Sequence, residues 1–283
     1  MKKIFVVIVI GLFLGSSILL TSCEKDKINS KENNNTGESI AKVKDESPKR
    51  NYEENQGTDV AIVRNIINKS QKKDGKKIAF LTFDDGPSTN ITPKVLDLLK
   101  EKNIKATFFV CGKNLKDNEE TQQILGREAD EGHSIGNHSF SHDYYKLYPE
   151  ENVNIEEFEK EIADTDNLIK ESVGKKFKTR LVRMPNGEIT RRHSNDKNID
   201  KLITDLKNLD KYSVDWNSLT GDAEGNQNKT VDELLNYLKE TIKNKEKLVI
   251  LMHDSPQREN SLNALPKVIG YLKDQGYEFQ SMK

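Results

Sequence analysis

Two adjacent carboxylates, Asp84 and Asp85, follow an apolar run (Ile78, Ala79, Phe80, Leu81) and precede Gly86-Pro87. Side chains alternate along a strand, so at a fraying strand end one of two neighbouring acids can hold a metal while the other handles protons. A bare Asp-Gly pair is ordinarily a solvated turn. The histidines downstream change that reading. His138 and His142, in Gly136-Asn137-His138-Ser139-Phe140-Ser141-His142, stand four residues apart, a spacing that sets both imidazoles on one side of a helical turn. Joined to an Asp they make a candidate His2Asp site with positions left open for water. Zinc is the default ion for such mixed ligation, and cobalt or nickel suits the same ligands.

Over roughly residues 76–283 the chain resembles the polysaccharide deacetylases of carbohydrate esterase family 4, which share the NodB homology domain. Thr82-Phe83-Asp84-Asp85-Gly86 is similar to the family's first motif, and His138-Ser139-Phe140-Ser141-His142 to its His-Ser/Thr-x-x-His metal motif. Arg183-Met184-Pro185-Asn186-Gly187 is similar to Arg-x-Pro-Tyr-Gly, with Asn186 where an aromatic is usual, and Leu251-Met252-His253 to Leu-x-His. The fourth motif, Asp-x-x-Asp-Trp, is where the chain departs. Asp215-Trp216 is kept, but Asp222, in Leu219-Thr220-Gly221-Asp222-Ala223, falls in the loop after that strand and nearer His253. Asp222 is therefore the preferred partner of the acid histidine, with Asp215 second, and Trp216 becomes a wall or core residue.

The resemblance implies an irregular (β/α)7 barrel and metal-dependent hydrolysis of a sugar acetamide. Asp85, His138 and His142 would hold the metal, Asp84 would take the proton of the attacking water, and Arg183 would orient Asp84 and keep it ionised. A backbone N–H at Asn186 would meet the oxyanion, and His253, held by Asp222, would protonate the departing amine. Pro185, Asn186 and Trp216 are the substrate-contacting candidates. The preferred substrate is the N-acetylglucosamine of peptidoglycan, with lysozyme resistance as the implied consequence. Alternatives are N-acetylmuramic acid, an exopolysaccharide, chitooligosaccharide or O-acetyl xylan. A silent carbohydrate-binding lipoprotein on the same scaffold would lack one of Asp84, Asp85, His138, His142 or His253, and all are present.

These residues need a frame. Apolar runs predict strands at 78–83, 106–110, 134–137, 181–183, 212–216, 248–252 and 277–281. Amphipathic patterns predict helices at 93–101, 121–131, 155–173, 199–208, 231–243 and 262–275. Seven strands with intervening helices argue an α/β fold with a parallel sheet that closes. Every candidate residue falls at or just after the C-terminal end of a strand, where barrels assemble their sites.

Before that domain the composition changes twice. Met1-Lys2-Lys3 and the apolar residues 4–20, broken by Gly11 and Gly15, read as a secretory signal over 1–22. Leu20-Thr21-Ser22-Cys23 resembles the bacterial lipobox, which implies a lipid on Cys23 and a place at the extracytoplasmic face of the bacterial cell membrane. Residues 23–56 are too polar to bury themselves and predict a disordered tether with a span of roughly 30 Å. Residues 57–75 predict a helical lead-in packed outside the domain that runs from 76 to 283. Cys111 is then the only thiol left besides Cys23 and reads as buried and inert, while His133 and His193 are given no chemistry. A net charge of -1, with basic residues scattered among acids, gives no reason to invoke nucleic acid, and a monomer is expected.

Overall fold

The computed structural model describes residues 57–68, 73–226 and 228–283; the expected signal over 1–22, Cys23 and the expected tether over 23–56 lie outside them. In chain order the elements are α1 (Val60–Ile67), β1 (Ile78–Gly86), α2 (Thr92–Glu101), β2 (Thr107–Val110), α3 (Gly112–Leu115), α4 (Glu119–Asp130), β3 (Ser134–Asn137), α5 (Tyr144–Leu147), α6 (Ile155–Val173), β4 (Leu181–Val182), α7 (Glu188–His193), α8 (Ile199–Asn208), β5 (Tyr212–Ser213), β6 (Ser218–Leu219), α9 (Val231–Ile242), β7 (Lys247–His253), α10 (Glu259–Asp274) and β8 (Glu278–Phe279). Among these residues no helix is long and apolar enough to cross a membrane.

The strand β1 is the hub because both its faces are covered, so it reads as a continuous apolar run rather than an alternating one. Ala79, Leu81 and Phe83 pack outward under the helices. Phe80 points inward, and by the two-residue repeat Thr82 and Asp84 share its face. The sheet runs β5-β4-β3-β2-β1-β7-β6, every ladder parallel, and β8 pairs with the first residues of β1 on the side that β2 takes higher up.

The α/β architecture of parallel strands and intervening helices is the expected one, and two details of it differ. An eighth strand, β6, pairs with β7, and among the described residues no ladder joins it to β5, so the sheet curls without closing. The reason is local. Only residues 214–217 separate β5 from β6, and a parallel pair needs a crossover of about a dozen residues or more. The lead-in helix, in turn, does not pack outside. Val60 and Val63 of α1 are fully buried against Phe80, Phe109, Val214 and Val249 inside the curl, so α1 fills the interior that the open edge exposes. Arg64 of α1 donates to the carbonyl of Ser213 at 2.5 Å and reaches Glu188 at 3.2 Å, which ties the helix to β5 and α7. We expect Val63→Ala to cost about 2 kcal/mol, a fall in Tm of roughly 5 °C for a domain of this size. An unchanged thermal melt would return α1 to the surface.

Candidate active site

The site forms where β1, β3, β4 and β7 end. At the end of β1 the register against β2 shifts between Asp84 and Gly86, and Asp85 takes a positive φ of 71°. This bulge turns both carboxylates toward one place instead of opposite faces. Two groups that the sequence reading passed over hold it. Asn114 Nδ2 donates to the carbonyls of Asp85 (2.8 Å) and Gly86 (2.9 Å). The N–H of Asp254 donates to Asp84 O at 3.1 Å, and the Asp254 carbonyl accepts from Ser88 Oγ at 2.6 Å. Position 86 must be glycine, since a Cβ there would meet the Asp254 carboxylate at 2.5 Å. Burial, with the Asp85 and Asp84 charges, pushes the Asp254 carboxyl up to about 7, against the pull of the Thr92 hydroxyl.

His138 and His142 do not lie on a helical turn. They flank a loop after β3 with positive φ at Ser139 (66°) and His142 (52°), and this loop, not an i, i+4 helix face, brings the rings to 4.9 Å. Glu161 of α6 shapes it. Its carboxylate accepts from the N–H groups of Phe140 (3.1 Å) and Ser141 (2.9 Å) and from Ser141 Oγ (2.6 Å). Although burial opposes its charge, those bonds and Lys146 hold the Glu161 carboxyl below its ordinary range. A signal existed in the sequence, because Glu161 is an acid on the face of α6 that buries Phe158, Ile162 and Ile169.

Asp85 Oδ1 lies 3.5 Å from His138 Nε2 and 3.4 Å from His142 Nε2. It is buried and has no hydrogen-bond partner. A tetrahedral ion bound at about 2.0–2.1 Å sets its ligand atoms about 3.3–3.4 Å apart, so this orphaned oxygen and the two ring nitrogens fit a divalent metal. His138 Nδ1 meets the carbonyl of Arg183 at 2.7 Å, which assigns the proton there and leaves Nε2 with its lone pair toward Asp85. The charge pattern suits a cation as well. Burial disfavours charge on both rings, yet the Asp84 and Asp85 carboxylates raise the pKa of His138, while that of His142 falls through burial and the charge of His138.

Asp84 is fixed from below. Arg183, 0% exposed, donates from Nη1 to Asp84 Oδ1 (2.8 Å) and to Thr82 Oγ1 (2.7 Å), and from Nε to Val214 O (2.8 Å). Its guanidinium lies 4.1 Å over the Phe109 ring. The other carboxylate oxygen of Asp84 is 3.7 Å from His138 Nε2, within the site but behind Asp85. Opposite stands His253, the cross-strand partner of Asp84 in the β1–β7 ladder. Asp222 holds it twice, accepting from His253 N at 2.8 Å and meeting Nδ1 at 2.9 Å, while Ser261 donates to the same carboxylate. Burial works against a charged His253, but Asp222, with Asp84 and Asp85, outweighs it and pushes the pKa up to about 9.

Asp215 serves elsewhere. It accepts from the N–H groups of Glu188 (2.8 Å) and Ile189 (2.7 Å) and so caps α7. Trp216 packs against the interior cluster and lines a hollow of about 540 Å³ with Arg64, Ile67 and Glu188, a hollow that none of the metal-ligand candidates lines. Pro185 is buried with its carbonyl accepting from Tyr148 Oη at 2.9 Å, and Asn186 is exposed at φ 64°, a conformation that asparagine accepts more readily than an aromatic does. Of the residues left out of the chemistry, His133 is buried and neutral, its pKa pushed down to about 3 by burial and by Lys105 and Arg127, and His193 is exposed. Cys111 is a buried free thiol whose pKa burial raises.

The family model for polysaccharide deacetylase matches residues 71–200. A Bacillus cereus peptidoglycan-N-acetylglucosamine deacetylase is 33% identical over 204 residues, covering 71% of this chain and 66% of that one. A second protein of the same name and species is 32% identical over 205 residues, 72% of this chain and 85% of that one. Among solved structures, a Streptococcus mutans carbohydrate esterase family 4 esterase superimposes with a TM-score of 0.72 at 36% identity, over 80% of this chain and 92% of that one. That likeness extends to the curled half-barrel of parallel strands, and with the sequence matches it places this chain in the polysaccharide deacetylase family, carbohydrate esterase family 4.

Proposed function

We propose that the chain is a metal-dependent N-deacetylase acting on the N-acetylglucosamine of peptidoglycan, held at the extracytoplasmic membrane face through a lipid on Cys23. The observation that carries the chemistry is the pairing of Asp84 with His253 across one ladder, a carboxylate fixed by a buried arginine beside an imidazole pushed up to about 9. A carboxylate to accept a proton and an imidazole to give one, on the same face, are what hydrolysis of an amide needs.

Asp85, His138 and His142 are the residues that would hold the divalent ion, zinc first. When bound, the ion supplies a Lewis acid for the acetamide carbonyl and for the water that attacks it. Asp84 accepts the proton of that water, and Arg183 keeps its carboxylate aimed at the site. His253 gives its Nε2 proton to the departing amine, while Asp222 holds Nδ1 and supports the positive charge. The Asn186 backbone N–H is the donor assigned to the oxyanion. The products are an amino sugar and acetate.

The choice of polymer rests on the names of the relatives and on the signal and lipobox. Acetate release from purified peptidoglycan, set against chitooligosaccharides, tests it; faster turnover of the soluble oligosaccharide would move the substrate away from the wall. If the backbone at 186 does the oxyanion work, Asn186→Ala changes kcat by less than about tenfold, and Asn186→Tyr shifts the ratio of kcat/KM between the two glycans. A thousandfold loss in Asn186→Ala with metal retained would make the side chain itself catalytic. Cys23→Ser should abolish incorporation of a fatty-acid analogue, and unchanged labelling would remove the anchor from the proposal.

A further inference from the structure

The loops entering β4 and β5 carry a charge pattern that the chemistry does not use. Residues 174–180, Gly-Lys-Lys-Phe-Lys-Thr-Arg, contain four cations and no acid. Lys176 and Lys178 are exposed, and among the described residues neither makes an ion pair. Two hollows, of about 440 and 250 Å³, lie on this face and share Phe177, Lys178 and Thr179. The acids lining them are already engaged: Asp59 and Asp210 with Arg180 at 2.6 and 3.1 Å, and Asp166 with Lys211 at 2.6 Å. Lys170, Lys176 and Lys178 thus stand without a countercharge in the lining. Beside them Leu209, 61% exposed, is one of the few large apolar side chains open to solvent.

This face lies at the N-terminal ends of the strands, the end opposite the site, because every ladder is parallel. It is also where the chain enters the domain. Thr58 N donates to Ser281 O at 2.8 Å, Lys283 N donates to Thr58 O at 2.9 Å, and Asp59 pairs with Arg180. The preceding 56 residues, which hold the signal and lipobox, are therefore joined to the domain at this edge. We propose that the face around Lys170, Lys176, Lys178 and Leu209 rests on an anionic lipid surface, the lysines meeting phosphate headgroups and Leu209 entering the headgroup boundary. A domain seated in this way turns the strand ends that carry Asp84 and His253 away from the lipid. The choice of lipid as the partner leans on the reading of residues 1–56, whereas the deacetylation chemistry does not enter it.

Each basic side chain near such a surface is worth about fivefold in partition. Residues 57–283 carry all three apolar clusters and the pairing of Thr58 with Met282, and their extent is close to that of the solved streptococcal relative, so this piece serves for the test. It should co-sediment with mixed phosphatidylcholine–phosphatidylglycerol vesicles, not with pure phosphatidylcholine, and high salt should release it. Lys176→Gln with Lys178→Gln should lower the partition about 25-fold at an unchanged melting temperature, and Leu209→Ser should weaken what binding remains at high salt. Equal binding to both vesicle types, or a double variant that binds as the parent does, overturns the inference. Displacement from vesicles by a soluble polyglycerol phosphate at matched phosphate concentration also overturns it, in favour of a wall polymer. Acetate release is measured separately, so failure here leaves the proposed activity standing.

Discussion

Asp84→Asn should lower kcat by about a thousandfold while the content of divalent metal stays at the parent level. The two carboxylates are adjacent in sequence but differ in surroundings. Asp85 offers an unpartnered oxygen to both imidazoles, whereas Asp84 gives one oxygen to Arg183 and sits 3.7 Å from His138. Asp85→Ala, His138→Ala and His142→Ala should lose metal and activity together. Asparagine keeps an acceptor for Arg183 but removes the countercharge of a guanidinium with no exposure to water, so Asp84→Asn should also cost about 3 kcal/mol of stability. Metal analysis and acetate release on the same preparations decide the matter. A folded Asp84→Asn protein that has lost its metal would make Asp84 a ligand and leave the base unassigned.

Asp222→Asn should move the alkaline limb of the pH–kcat profile toward neutrality and lower kcat at pH 8 by about tenfold. An acid must start protonated, so activity is present below the folded pKa of His253, about 9, and is lost as pH rises through it. Removing Asp222 lets that value fall toward the ordinary 6.5 of an imidazole. A divalent ion at Asp85 would offset the share contributed by Asp84 and Asp85, which leaves Asp222 as the principal support. Stability follows the same signs. The raised pKa of His253 contributes stability that is full below pH 6.5 and lost as pH rises through about 9. The lowered pKa of Asp222 contributes above its ordinary 3.8 and is lost in acid. If the limb stays in place in Asp222→Asn, with the fold intact, His253 is not the proton donor.

The long, periodic elements were legible from the residues alone. The helices α6 and α8 begin and end where their apolar spacing says, because each must turn one stripe to the sheet. One-turn helices such as α3, α5 and α7 were not, since four to six residues hold too little periodicity and their existence depends on caps such as Asp143 and Asp215. The interior position of α1 was hidden for a different reason. Val60, Val63 and Ile66 predict an apolar stripe, but nothing in a stripe says whether it meets a surface or fills a gap in a sheet. At the site, Asp84, Asp85, His138 and His142 stood out by residue type and spacing, whereas His253 stood out only through the resemblance of Leu251-Met252-His253 to the family's Leu-x-His motif. Of the groups that hold them in place, Glu161 left a trace as an acid on the buried face of a helix, whereas Asn114 and the carbonyl of Arg183 act through backbone geometry that no spacing encodes.

The backbone at Asp85 has a consequence for how far this site could drift or be redesigned. At φ 71° a β-branched or bulky residue is strained, and aspartate and asparagine are among the few side chains that tolerate the left-handed region while carrying an oxygen donor. A cysteine, the softer ligand that would draw copper or iron–sulfur chemistry, would have to adopt that conformation before it met any ion, whereas a histidine tolerates it, as His142 does at φ 52°. Glutamate would be strained in the same way and would overshoot by one methylene. The position therefore restricts its occupant through chain conformation as well as through ligand chemistry, and selection for a thiolate-bound metal would have to begin with the bulge rather than with the side chain.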